Sequence, residues 1–171
     1  QAESQFAEGA RVTARQIAVA TRYERIAAHP QRWLDDADYR TALQEPVLTG
    51  LRDGQNVLLY PGAPSETAVA TGAAGQSAQL SARFLPDVVH RQAEVAPLRR
   101  VGIAGGDTSS HATLALGLWG LSYLTRLDPG VTVSRTHSHA AALDGVELML
   151  KGGQVGGEDI FDRLIDGTCD R

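Results

Sequence analysis

RRVGIAGGDTSSHA, residues 99–112, is the stretch from which the fold is read. Val101, Ile103 and Ala104 make a short apolar run of the kind a buried strand shows. Gly105-Gly106 breaks the run, and Asp107, Thr108, Ser109 and Ser110 lead into a helical pattern from Ala112 to Trp119. Strand, glycine turn, hydroxyl-bearing residues and helix start are also the parts of an anion site. Glycine lets the backbone approach a phosphate with no Cβ in the way. The first N–H groups of a helix have no internal partner and point outward. Two readings follow: a polyphosphate site of the kind ATP would fill, or a strand-to-helix turn whose polar residues only cap the helix. The stretch lacks the GK[ST] ending of a P-loop and the GxGxxG of a dinucleotide turn.

Working outward, a second glycine-rich stretch has the same surroundings. The apolar run Val146–Leu150 passes into Lys151-Gly152-Gly153-Gln154-Val155-Gly156-Gly157-Glu158-Asp159, and a final helix is expected over 159–165. Strands are also expected over 56–60, 121–127 and 131–135, with Asp128-Pro129-Gly130 as a turn. Helices are expected over 13–28, opened by a Thr13/Gln16 capping box and stopped by His29-Pro30, over 38–51, and over 76–94. Residues 1–10 read as an incoming strand, 31–36 as a loop or short strand around Trp33, and 63–75 as a surface linker. Strands alternating with helices predict a single α/β domain, a mostly parallel or mixed sheet with helices on both faces. In such sheets ligands bind beyond the carboxyl ends of strands. Gly105-Gly106 and Gly152–Gly157 both follow strands, so one edge can carry them as two walls of one site.

Composition limits the alternatives. At 171 residues, with 43% hydrophobic and 21% charged residues, the chain suits one ordinary globular domain. A net charge of −4 offers no field for nucleic acid or an anionic membrane. Any anion must be held by local geometry. One cysteine, Cys169, allows no internal disulfide and fits a cytoplasmic setting. No apolar run is long enough to span a membrane.

Other chemistry-bearing residues each carry two readings. Asp107 suits a helix cap or a Mg²⁺ contact. Lys151 suits phosphate neutralisation or an exposed strand end. Glu158 and Asp159 suit the start of the last helix better than a metal contact. His137 and His139 fall on one face of a strand but lack a third ligand, and no residue is assigned to a metal. Ser109 or Ser110 with His111 or His137 could make a hydrolase only without the usual GxSxG elbow.

The two glycine stretches resemble the four-carbon acid sugar kinase family, in its C-terminal nucleotide-binding domain. That family shows GG[DE]TS after a strand and later LK[SG]G[NQ][FV]G. Here these stand as Gly105-Gly106-Asp107-Thr108-Ser109 and Leu150-Lys151-Gly152-Gly153-Gln154-Val155-Gly156. Ala115-Leu116-Gly117 and Pro129-Gly130 also look like the family. The resemblance runs from about residue 10 to the end. It implies that ATP, with Mg²⁺, is held by Gly105, Gly106, Asp107, Thr108 and Ser109 on one side and by Gly152, Gly153 and Gln154 on the other. It also implies phosphoryl transfer to a four-carbon sugar acid such as an erythronate, threonate or 3-oxo-tetronate, and a homodimer. A serine-rich turn before the family's first helix, like GSCSPVTxxQ, is matched only by Gly9, Val12, Thr13 and Gln16.

Nothing in the 171 residues matches the acidic DDxTG-type motif of the family's N-terminal, sugar-acid-binding domain. The expectation is therefore a nucleotide-binding domain that lacks the acceptor site and base, and so turns over poorly alone. The reading from another functional class is a non-catalytic module that senses a nucleotide or anionic metabolite.

Overall fold

The computed structural model describes residues 12–62 and 73–167, with side chains from 75 in the second segment. The expected strand over 1–10, most of the expected linker over 63–75, and Cys169 lie outside them. We number the elements in chain order. Helix α1 covers residues 12–19. It is followed by β1 (Tyr23–Ala28), α2 (Pro30–Asp35), α3 (Ala37–Arg52), β2 (Asn56–Pro61) and α4 (Ala73–Ala93). Then come β3 (Arg100–Ala104), α5 (Gly106–Ala115), β4 (Gly120–Asp128), β5 (Val131–His137), β6 (Glu147–Lys151) and α6 (Ile160–Asp166).

The sheet expectation is met in its mixed form. β1 and β2 pair in parallel as a two-stranded sheet, and the second sheet has the order β3-β6-β5-β4. Within it β3 and β6 are parallel, while β5 runs antiparallel to both β6 and β4. Helices cover both faces of the larger sheet. Met149, Val131, Val133 and Leu127 face Ala20 and, from α6, Ile160, Phe161 and Leu164. Leu148 and Ile103 face Ala82 and Val89 of α4, Ala112 of α5, and Leu116. Neighbouring residues of a strand point to opposite faces, which is how Leu148 and Met149 serve different cores. A third core packs β1 and β2 against α2, α3 and α4 through Ala28, Trp33, Leu43, Leu48 and Phe84.

Three boundaries differ from the sequence expectation. The helix expected over 13–28 ends at residue 19, and Tyr23–Ala28 is strand. These residues pair along their full length with β2, from Tyr23↔Asn56 to Ala28↔Pro61. Tertiary pairing and the β-favouring Tyr23 and Ile26 override a weak helical spacing. His29-Pro30 starts a helix instead of merely stopping one. Pro30 stands in the first turn of α2 and the His29 ring accepts from the Arg32 N–H. Proline suits that turn because its missing N–H has no helical partner there. The helix expected over 112–119 is instead Gly106–Ala115, so Asp107 to Ser110 are helical and 116–119 are not.

Gly102 on β3 shows what the packing demands. A Cβ there would lie 2.6 Å from Leu164 Cδ2 and 3.1 Å from Met149 Cε. Arg100 holds the same contact from the side: Nε donates to Glu147 Oε2 at 2.6 Å and Nη1 to the Ile165 carbonyl at 3.0 Å. Gly102→Ala is expected to destabilise the chain by about 1–3 kcal/mol, since the methyl overfills the β3–α6 seam. Urea unfolding reads this directly. An unchanged midpoint would mean that α6 rides free of β3.

Candidate nucleotide site

The site is built where β3 and β6 end side by side. Their parallel register places Ala104 opposite Lys151. The Gly105 N–H then donates to the Lys151 carbonyl at 2.9 Å, so both glycine stretches leave one sheet edge together. Gly105 turns the chain from strand to helix with φ +114° and ψ 130°. This backbone region is open essentially to glycine alone.

The first hydrogen bond of α5 runs from the Ser109 N–H to the Gly105 carbonyl, at 2.8 Å. The N–H groups of Gly106, Asp107 and Thr108 precede it and have no partner within the helix. Among the described residues no side chain caps this end. That corrects the capping reading of the polar residues. Ser110 Oγ donates to the Gly106 carbonyl at 3.0 Å, and Thr113 Oγ1 to the Ser109 carbonyl at 2.8 Å. Ser109 Oγ stands 3.5 Å from the carbonyls of both Ile103 and Lys151, between the two strand ends. Asp107 is exposed in the first turn of α5, which leaves its carboxylate available to a ligand or cation there.

Two glycines are not demanded by the fold. A Cβ on Gly106 would meet nothing within 4 Å, and one on Gly152 would meet only Val155 Cγ2 at an ordinary 3.8 Å. Neither has a positive φ. They keep open space on the edge where the helix N–H groups emerge.

Residues 152–157 are held from behind by side chains outside the loop. Thr13 Oγ1 donates to the Gly153 carbonyl at 3.0 Å. Gln16 Nε2 reaches the carbonyls of Val155, Gly156 and Gly157 at 3.2, 2.9 and 3.0 Å. The Asp128 carboxylate accepts from the Gly157 N–H at 2.6 Å. Thr13 and Gln16 therefore form no capping box; both lie inside α1 and turn to the loop. Residues 9–11 of the turn before α1 fall outside the described residues. Gln154 is exposed. Asp159 is the N-cap residue of α6, although its side chain makes no cap bond.

Lys151 is buried, with 2% of its surface exposed, so it is not an exposed strand-end lysine. Its Nζ donates to the Gly152 carbonyl at 2.8 Å. Burial lowers its pKa from 10.5 to about 8. A cation here lies at the meeting point of the two glycine stretches.

His111 lies on α5, one turn past its start, while His137 and His139 lie elsewhere. His137 Nε2 is 2.5 Å from Ser122 Oγ, and its ring packs on Trp119 with centroids 5.1 Å apart. His139 faces the same Trp119 at 6.3 Å. Among the described residues no three His, Cys, Asp or Glu side chains cluster as a metal site. No described helix is long and apolar enough to cross a membrane. The glycines, Asp107, Thr108, Ser109 and Gln154 named from the sequence all fall on or beside this edge. Sequence reasoning does not reach Asp128, and it offers Gln16 only through the Thr13/Gln16 spacing, which reads as a local cap, and through the partial match to the family's GSCSPVTxxQ turn.

The chain is 31% identical over 149 residues to a 3-oxo-isoapionate kinase of Paraburkholderia graminis, covering 80% of this chain and 32% of that protein. It is 33% identical over 119 residues to a 3-oxo-tetronate kinase of Burkholderia multivorans, covering 66% of this chain and 27% of that protein. The chain thus spans about a third of the length of these relatives. A Haemophilus influenzae structure described as DUF1537 shares the fold, with TM-score 0.73 and 18% identity, over 93% of this chain and 38% of that one. A Bordetella bronchiseptica DUF1537 structure, described as a domain-swapped dimer with bound citrate, does so with TM-score 0.65 and 19% identity, over 91% and 37%. Residues 10–161 match a family described as the nucleotide-binding C-terminal domain, and the chain belongs to that family.

Proposed function

We propose that the chain binds the polyphosphate of ATP between the β3–α5 turn and residues 152–157, as the nucleotide-binding part of a kinase that phosphorylates a four-carbon sugar acid. The observation that carries this is the Gly105 N–H on the Lys151 carbonyl, which joins the two glycine stretches at the start of α5. Gly105, Gly106, Thr108 and Ser109 would contact phosphate from one side, and Gly152, Gly153 and Gln154 from the other. The open space at Gly106 and Gly152 suits close approach of an anion to the backbone.

Phosphoryl transfer needs chiefly positioning and charge stabilisation. Unpaired helix N–H groups and the buried Lys151 ammonium supply positive charge on this side of the ligand. Asp107, exposed and free of any cap bond, is the residue that would hold Mg²⁺, directly or through water. The ion would neutralise phosphate charge. In this reading the acceptor site and catalytic base come from an N-terminal domain outside the 171 residues. The kinase names of the relatives support the reaction class, and a reaction of this kind suits the cytoplasm, where ATP is available.

Calorimetric titration with ATP and Mg²⁺, with NAD as control, tests the proposal. Saturable ATP binding without NAD binding is expected, with little turnover on an erythronate-type acid. Absence of binding at millimolar ATP would overturn it.

A further inference from the structure

We propose that Gln16 is a positioning residue, one that sets the anion-binding face of residues 152–157 through their backbone. The inference rests on the nucleotide reading of the same site. Gln16 is fully buried, at 0% exposure. Its single amide nitrogen faces the carbonyls of Val155, Gly156 and Gly157 at 2.9–3.2 Å. Thr13, one turn earlier on α1, takes the Gly153 carbonyl in the same way. In a planar trans peptide the next N–H points opposite to the C=O. Carbonyls drawn toward α1 therefore turn the N–H groups of Gly156, Gly157 and Glu158 away from it.

One of these N–H groups shows what the outward side accepts. The Gly157 N–H carries a carboxylate oxygen of Asp128 at 2.6 Å. The φ of +89° at Gly156 gives the loop the local reversal that lets successive carbonyls converge on one nitrogen. Among the described residues Gln16 Oε1 is buried without a partner, a cost set against the loop carbonyls that Nε2 satisfies. Gln16→Met removes both, so ligand selectivity and not stability separates a positioning role from a structural one.

The test compares ATP with Mg²⁺ and adenosine as ligands of the 171-residue chain, well below its unfolding temperature. Gln16→Met is expected to weaken ATP about tenfold, because a loop displaced by a fraction of an ångström no longer matches the phosphates. Adenosine affinity is expected to stay within about twofold, and Thr13→Val to weaken ATP about threefold for the loss of one hydrogen bond. A merely structural residue would lower the melting temperature and leave the ATP-to-adenosine ratio unmoved. Wild-type ATP affinity in Gln16→Met and Thr13→Val, or equal weakening of both ligands, would overturn the inference while the nucleotide site stands. Should Gln16→Met not fold, the ratio in Thr13→Val decides. A wild-type chain that binds neither ligand would overturn the nucleotide reading, and this inference with it.

Discussion

Gly105→Val is expected to abolish saturable ATP binding and to lower the unfolding free energy by about 2–3 kcal/mol. The two losses share one origin. At φ +114° a β-branched side chain is strained, and its Cβ would lie 3.3 Å from Thr108 Oγ1. Relief requires the peptide to rotate. That breaks the Gly105 N–H bond to Lys151 and re-aims the first turn of α5. Gly106→Ala separates fold from site. Position 106 has an ordinary φ and open space around it, so alanine there is expected to be neutral or to stabilise by up to about 1 kcal/mol. If phosphate lies against that backbone, Gly106→Ala still weakens ATP. Urea unfolding and ATP titration of both variants read these effects. A folded Gly105→Val chain with full ATP affinity would show that the turn is only structural.

Stability is expected to rise with pH between about 8 and 10, and Lys151→Met is expected to remove the rise. Lys151 holds its proton to about pH 8 in the folded chain, against 10.5 when unperturbed. Between those values the unfolded chain binds more protons, so unfolding becomes harder as pH increases. The cost of the buried charge is fully present below pH 8 and amounts to about 3 kcal/mol. Above pH 10 the sense reverses. Burial first, and then the charge of Asp162, raise the Tyr23 phenol from 10.0 to about 12. The unfolded chain then loses that proton first, and stability falls. Denaturant midpoints across pH 7–11 for wild type and Lys151→Met test the assignment; parallel curves would refute it. A polyphosphate beside Lys151 would raise its pKa again, so ATP binding would take up a proton near pH 8.

The β3 strand, its glycine turn and the second glycine stretch were legible because their signals are local. Apolar runs end at glycines, and hydroxyls follow. Their meeting at one edge was legible as a rule of parallel sheets, and the Ala104↔Lys151 register realises it. The antiparallel run of β4, β5 and β6 followed from less, since only the Asp128-Pro129-Gly130 turn announced a hairpin. What failed depended on distant partners. Tyr23–Ala28 has helical spacing, and only β2 makes it a strand. His29-Pro30 can end one element or open the next, and local sequence does not choose. The burial of Lys151 and the roles of Gln16 and Asp128 depend on contacts that no window of sequence contains.

The Gln16 clamp also bears on how the chain reaches its folded form. It joins residues 140 positions apart in sequence. The described part of helix α1, residues 12–19, is too short to persist on its own in water. It gains lasting order when residues 153–157 are in place to receive it. On a ribosome those residues emerge long after α1 has left the tunnel, so the early helix must wait for the late loop. Closing so long a segment raises the contact order and slows folding. Helix α1 and the loop at 153–157 therefore become ordered together.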